Sequence, residues 1–262
     1  MCVGLQSRVY YACAHDCVSI YSTTDAQLEK DRPDKALAYH GRSIAEQHSI
    51  VSAWSIFMDP RFAELRSTIY TTQDELNRLY QLIVNIVLAT DICDKQLKEF
   101  RSKRFNKAFT NDSMESDADQ SLPFHNCDLK ATVGMEYLIQ ASDVAHTMQP
   151  WGIYREWNAK LFNEMYKAYK EGRAEKDPST FWYKGEIGFF DFVIIPLAKQ
   201  LQCCKIFGSL ADDCLAFAES NRERWVREGH VAVQEMVVAQ MDDDALLEMI
   251  DSIISECDYL LG

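Results

Sequence analysis

Apolar side chains recur at spacings of three and four residues along most of the chain, which is the period of an amphipathic α-helix. The clearest case starts at Thr72, where Thr72 and Glu75 have the spacing of a capping box. Its apolar stripe comprises Leu76, Leu79, Tyr80, Ile83, Val84, Val87 and Leu88. Similar periodicity predicts further helices at about 43–58, 130–147, 153–172, 186–204, 209–228 and 230–259.

Residues that break helices are scarce, with ten glycines and six prolines in 262 residues. We therefore expect a nearly all-α protein folded as one domain, because no linker divides the chain. Segment 111–123 is acidic, rich in turn-forming residues and without apolar periodicity, which predicts a mobile loop.

The formal net charge of −13 argues against a polynucleotide partner, because phosphate backbones are held by clustered Lys and Arg. A small anionic ligand remains compatible with this charge, since a bound divalent metal supplies the local positive charge.

The nine cysteines include no CxxC pair, which favours reduced and mostly buried thiols over disulfides or a zinc knuckle. We find neither a convincing secretory signal nor a run of roughly 18 uncharged apolar residues. We therefore expect a cytoplasmic protein without a membrane segment.

Three places put ionisable side chains in unusual positions. Asp91 continues the apolar stripe of the predicted 72–91 helix, where it faces water, caps the next segment or has a functional role. Asp143 and His146 share a side with Leu138 and Ile139, which suits metal binding, acid/base chemistry or a structural Asp–His hydrogen bond. His15 and Asp16 form a third pair, which is weak evidence by itself.

Five motifs occur in a specific order: SIAEQHSIVSAW (43–54), VLATDICDK (87–95), LIQASDVAHTMQPW (138–151), IYREWNAKLF (153–162) and GEIGFFDFVIIPLA (185–198). Because it carries these motifs in this order, the chain resembles the catalytic domain of the class I 3′,5′-cyclic-nucleotide phosphodiesterases. Segments 71–91 and 167–192 resemble most the members found beside nucleotide cyclases in protists and algae.

The resemblance implies a compact multi-helix domain that hydrolyses cAMP, cGMP or both to 5′-monophosphates, using zinc and magnesium. It also implies cyclase or regulatory domains as attached or associated partners. Carried over by position, it implies metal ligands at His15, Asp16 and Asp143, and hydrogen bonds around the metal waters from Glu46, His48 and Asp91. It places the substrate's base among His146, Leu161, Glu186 and Phe189.

The chain departs from the family pattern near its start. Val18 and Ser19 stand where the resemblance leads us to expect a second Asp and His, and no residue matches the general acid. We therefore interpret residues 1–24 as a degenerate or misassigned start, and 25–262 as the phosphodiesterase-like domain lacking its first helices. The alternative is a catalytically impaired relative that acts as a nucleotide-binding or helical interaction module.

Glu186 is a further departure, because it replaces a glutamine that reads the base edge in the family. An ionised carboxylate only accepts hydrogen bonds, whereas an amide both donates and accepts. The sequence therefore leaves the choice between cAMP and cGMP open.

Overall fold

The computed structural model describes residues 32–92, 94–109 and 123–241. These residues form α-helices, short 3₁₀ turns and one π turn, with no strand among them, which confirms the predicted all-α class. The helices are α1 (Pro33–Ala38), α2 (Ile44–Phe57), α3 (Ala63–Ile69), α4 (Gln73–Ala89), α5 (Lys95–Phe109), α6 (Pro123–Asp143), α7 (Trp151–Lys170), α8 (Trp182–Phe189), α9 (Ile195–Cys204) and α10 (Ser209–Val238).

Helix α4 begins at the predicted capping box. The Thr72 hydroxyl accepts a hydrogen bond from the Glu75 backbone N–H at 3.2 Å, and the Glu75 carboxylate accepts one from the Thr72 N–H at 3.0 Å. Two N–H groups at the helix start are satisfied by these bonds, which fixes where the helix begins.

The main hydrophobic core lies among α5 to α10. Trp182 of α8 and Trp225 of α10 are completely buried there, together with Tyr154 and Phe162 of α7. Helix α10 packs against α8, α9 and the 3₁₀ turn Ala145–Met148, so it joins the elements that carry most of the predicted site residues.

Our prediction of two helices separated at Gly229 is wrong, because α10 runs unbroken through this residue. A Cβ atom at Gly229 would lie 2.8 Å from Trp225 Cε2 and 2.9 Å from Tyr183 Cδ2. Glycine is therefore needed for close packing inside the helix rather than for ending it.

Helix α5 was not predicted, because its sequence KQLKEFRSKRFNKAF is dominated by polar and charged residues. Its buried face is made of Arg101, Phe105 and Ala108, which pack toward α6. An arginine within the buried stripe hides the helical pattern from a simple apolar count.

The predicted helix 186–204 is interrupted by a π turn at Phe190–Ile194. Pro196 has no N–H to give to the carbonyl of Phe192, four residues earlier, and its ring clashes with that carbonyl in a regular α-helix. Lys98 Nζ of α5 donates to the Phe192 carbonyl at 3.1 Å and replaces the missing donor.

Within the described residues, Trp182–Cys204 is the one stretch long and apolar enough to cross a membrane by length and composition alone. It contains Asp191 and Lys199, and Trp182, Phe190 and Ile194 within it are completely buried among the other helices. Phe192 in the same stretch is 71% exposed, so one face of the stretch packs into the core and the other faces outward.

Residues 1–24 and most of the predicted 111–123 loop lie outside the described residues. Pro123, the last residue of that predicted loop, instead begins α6. Proline suits this position because the first helical N–H groups have no intrahelical partner.

Candidate functional site

Asp143 is the last residue of α6, and only 7% of its surface is exposed. Neither of its carboxylate oxygens has a hydrogen-bond partner within the described parts of the chain, so the alternative of a structural Asp143–His146 bond is not formed. Burial raises the pKa of Asp143 to about 7. A buried carboxylate without partners is costly, and a bound cation would remove that cost.

His146 lies on the 3₁₀ turn that follows Asp143, buried beside the rings of Tyr154 and Trp157 at centroid distances of 6.4 and 6.5 Å. Burial lowers the pKa of His146 to about 4, so the imidazole is neutral at pH 7. A neutral imidazole offers one donor and one acceptor, which suits contact with a heterocyclic base.

The turn that carries His146 is held in place by α10. The Asn221 side-chain amide, 2% exposed, donates to the carbonyls of Thr147 at 3.0 Å and Gln149 at 2.7 Å. These two bonds satisfy carbonyls that the short turn leaves without helical partners.

Glu186 of α8 is buried and accepts a hydrogen bond from the Tyr154 hydroxyl at 2.8 Å. Behind it, the Asn158 amide reaches the Tyr154 oxygen at 3.5 Å, and Trp182 Nε1 donates to Asn158 Oδ1 at 3.3 Å. Burial raises the pKa of Glu186 to about 7, although the bonds from Tyr154 and Asn158 oppose that rise.

Leu161 of α7 and Phe189 of α8 are both half-buried and pack against the same main core. Two residues after Phe189, Asp191 forms a double ion pair with Arg222 of α10, with N–O distances of 2.9 and 3.0 Å. This pair anchors the π turn that follows Phe189.

The residues predicted to surround the metal waters lie near α2 and the end of α4. Asp91 is buried and accepts from the Ser43 hydroxyl at 2.6 Å and from the Asp94 N–H at 3.0 Å. These contacts match the capping alternative, and the role near a metal remains a prediction.

His48 Nδ1 lies 3.3 Å from Lys35 Nζ. The pKa of His48 is lowered mainly by burial and, to a smaller extent, by the positive charge of Lys35. Glu46 is half-buried on the same helix.

No three His, Cys, Asp or Glu side chains come together as a metal-binding group in the described residues. His15 and Asp16 lie outside those residues, so Asp143 is the predicted ligand whose surroundings can be assessed. Its hard oxygens and lack of partners fit a divalent cation such as magnesium.

Sequence reasoning missed the buried polar group of Tyr154, Asn158 and Asn221. Tyr154, Asn158 and Phe162 follow one another at four-residue spacing on the buried face of α7. Polar residues on an apolar stripe were therefore a usable signal, but their partners on α8 were not visible from periodicity.

A sequence profile of the family described as 3′5′-cyclic nucleotide phosphodiesterase matches residues 9–212. The dual specificity calcium/calmodulin-dependent 3′,5′-cyclic nucleotide phosphodiesterase 1B of Mus musculus is 24% identical over an alignment of 218 residues. The alignment covers 78% of this chain and 36% of that protein. A probable 3′,5′-cyclic phosphodiesterase of Caenorhabditis elegans is 23% identical over 77% of this chain and 29% of its own length. The chain thus spans about a third of the length of these curated relatives.

The crystal structure of the phosphodiesterase domain of Salpingoeca rosetta rhodopsin phosphodiesterase superposes with a TM-score of 0.61 at 20% sequence identity. The superposition covers 82% of this chain and 64% of that domain. At this level of identity the likeness shows a shared fold.

Proposed function

The chain belongs to the 3′,5′-cyclic nucleotide phosphodiesterase family, and on that premise we propose that it hydrolyses cAMP, cGMP or both to the 5′-monophosphate. In this reaction water adds to phosphorus, the bond from phosphorus to O3′ breaks, and O3′ takes up a proton. The cofactors that fit the proposal are zinc and magnesium.

The observation that carries the proposal is the buried carboxylate of Asp143, which has no hydrogen-bond partner among the described residues. It lies at the end of α6, in one of the motifs that resemble the family. Asp143 would hold a divalent metal, with His15 and Asp16 as further ligands implied by the resemblance. When bound, such a metal supplies a Lewis acid that polarises the phosphate and acidifies water.

The described residues that would position the base lie on α7, α8 and the turn between α6 and α7. Leu161 and Phe189 would contact its two faces, and neutral His146 and Glu186 would face its polar edge. Protonated Glu186 both donates and accepts, as the amide of glutamine does. The high pKa of Glu186 therefore lets a glutamate serve where the family usually has glutamine.

Turnover of cAMP and cGMP with zinc and magnesium present tests the proposal. We expect Asp143→Ala to lower kcat by at least about 10²-fold, because losing a group that only supports a metal ligand already costs about 10–100-fold. Asp128→Ala is the matched control, because Asp128 is exposed on the same helix and forms only a 3.4 Å surface ion pair with Arg78. Equal turnover by the two variants would contradict the proposed role of Asp143.

Binding without turnover would support the alternative, a catalytically impaired nucleotide-binding module. In that case Phe189→Ala should still weaken nucleotide binding by about 1–3 kcal/mol, the usual loss for an aromatic stacking contact. Phe192→Ala is the control, since Phe192 is 71% exposed three residues further along. Unchanged affinity in Phe189→Ala, together with a lower melting temperature, would make Phe189 an ordinary core residue.

A further inference from the structure

A cavity of about 110 Å³ lies between α5, α6 and the segment formed by the π turn and α9, and none of the predicted site residues lines it. Its rim includes the exposed residues Lys98, Ser102 and Phe192, while Arg101 and Tyr137 are buried. The cavity is therefore open at one end and built on an ordered floor. Its remaining lining residues are Ile92, Gln140, Val193, Pro196, Leu197 and Gln200.

Arg101 is an unusual residue to find in such a floor. Its guanidinium donates to the backbone carbonyls of Leu88 at 3.3 Å and Asp91 at 3.0 Å, and it forms no ion pair with a carboxylate in the described residues. The nearby Glu136 is paired with Arg104 instead. Burial lowers the pKa of Arg101 and outweighs the opposing attraction of Asp91, Glu136 and Asp94.

The other polar groups of the cavity reinforce this positive character. Lys98 adds a second cation at the rim, and Tyr137, Gln140, Gln200 and Ser102 add groups that can donate hydrogen bonds. No Asp or Glu is among the residues that line the cavity. An anion would therefore meet two cations and several donors in the lining itself, while the carboxylates near Arg101 lie behind the lining.

The walls limit what kind of anion fits. Most of the exposed wall is apolar, and it is formed by Ile92, Val193, Pro196, Leu197 and Phe192. An apolar cavity of about 150 Å³ holds a benzene molecule, so this volume encloses roughly four to five non-hydrogen atoms, and a slightly longer ligand would extend through the exposed rim. A fully polar ion such as phosphate would leave the apolar walls without partners.

We propose that this cavity binds a small organic carboxylate, with the carboxylate at the Arg101 and Lys98 end and a short apolar body against Ile92, Val193 and Leu197. The site does not depend on the proposed hydrolase function. An occupant would nevertheless touch the residue after Asp91, the turn of α6 before Asp143 and the π turn after Phe189.

Calorimetric titration of the full chain with butyrate and with butyramide tests the proposal, because the two have nearly the same shape and only butyrate is charged. We expect saturable butyrate binding in the millimolar range and binding of butyramide that is at least about tenfold weaker, since a charge-assisted hydrogen bond contributes about that factor. Equal affinity for both, or no saturable butyrate binding, would overturn the proposal.

Rim variants show where the carboxylate binds without disturbing the buried floor. Lys98→Gln keeps a donor for the Phe192 carbonyl but removes the charge, and Ser102→Glu adds a negative charge at the opening. Each should weaken butyrate binding by at least about fivefold. Lys107→Gln, the same change at an exposed position of α5 outside the cavity, should bind as the unchanged chain does. Unchanged butyrate binding in both rim variants, or an equal loss in Lys107→Gln, would overturn the location.

Discussion

Two buried carboxylates with the same elevated pKa have opposite surroundings in this protein. Asp143 has no hydrogen-bond partner in the described residues, whereas Glu186 accepts from Tyr154, which lies 32 positions away in sequence. The sequence places both carboxylates on faces rich in apolar residues. It cannot show which of the two has a partner, because that depends on how α7 packs against α8.

Glu186 makes the stability of the fold depend on pH. Its pKa is about 7 in the folded chain, above the ordinary value of 4.5. The folded chain therefore binds more protons than the unfolded chain between these values. The stabilising contribution is complete below about pH 4.5 and is lost as pH rises through about 7. The slope from one such group is at most ~1.4 kcal/mol per pH unit.

Glu186→Gln should remove this slope from the free energy of unfolding, measured by urea denaturation from pH 4.5 to 8. The difference in the free energy of unfolding between the unchanged chain and Glu186→Gln reports on Glu186 alone, because His146 and Asp143 titrate in both chains. Glu156→Gln is the surface control, because Glu156 is exposed on α7 and pairs with Lys160. Parallel pH profiles for the unchanged chain and Glu186→Gln would show that Glu186 has the same pKa in the folded and the unfolded chain.

At the scale of helices, the sequence predicted a helix boundary correctly where a single local pattern determines it. The prediction was wrong where packing against other side chains opposes the local pattern. The capping box at Thr72 and Glu75 located the start of α4. Glycine often ends helices, but Gly229 lies inside α10. The Trp225 ring of the same helix packs so close to it that no side chain fits there. Helix α5 was missed because Arg101, a charged residue, occupies its buried face.

Gly229→Ala sets helix propensity against packing. Alanine gains about 1 kcal/mol in a helix interior, but its Cβ would lie within 2.9 Å of Trp225 and Tyr183 atoms. Overpacking in a core costs about 1–3 kcal/mol. We expect a net loss of up to about 2 kcal/mol in thermal or urea unfolding.

Gly152→Ala is the control for Gly229→Ala, because Gly152 is also helical and a Cβ there would meet no atom within 4 Å. It should be neutral or stabilising by up to about 1 kcal/mol. Equal effects of the two substitutions on the free energy of unfolding would mean that the rings of Trp225 and Tyr183 move aside for the new Cβ atom without destabilising the fold.

At the scale of the whole molecule, the family and the fold were predicted correctly from five ordered motifs, and both are confirmed by the family match and the all-helical structure. The site was predicted less completely. Among the described residues, those implied by the resemblance lie on α2, just after α4, at the end of α6, on the 3₁₀ turn that follows it, and on α7 and α8. Their roles remain predictions. Asn221 and Arg222 of α10, which hold two of those segments, lie outside the quoted motifs.

Divalent metal should stabilise the whole chain through Asp143. A ligand that binds only the folded chain stabilises it by about 2.7 kcal/mol at a hundredfold excess over its Kd. We therefore expect magnesium or zinc to raise the melting temperature of the unchanged chain and of Asp128→Asn, but not of Asp143→Asn. A full metal-induced shift in Asp143→Asn would remove Asp143 from the ligand set.

The π turn at Phe190–Ile194 also explains the spacing of the buried residues on either side of it. Trp182, Glu186, Phe190, Ile194 and Ala198 recur every four residues, and all five are buried. In a regular α-helix each such step drifts by about 40°, so the first and last would point in nearly opposite directions. The turn accommodates one extra residue, equivalent to about 100° of rotation, and cancels most of this drift. It behaves as a one-residue insertion that sets the orientation of α9. Deleting Val193 would remove that residue and rotate Leu197 and Leu201 by about 100° relative to Trp182, out of the core.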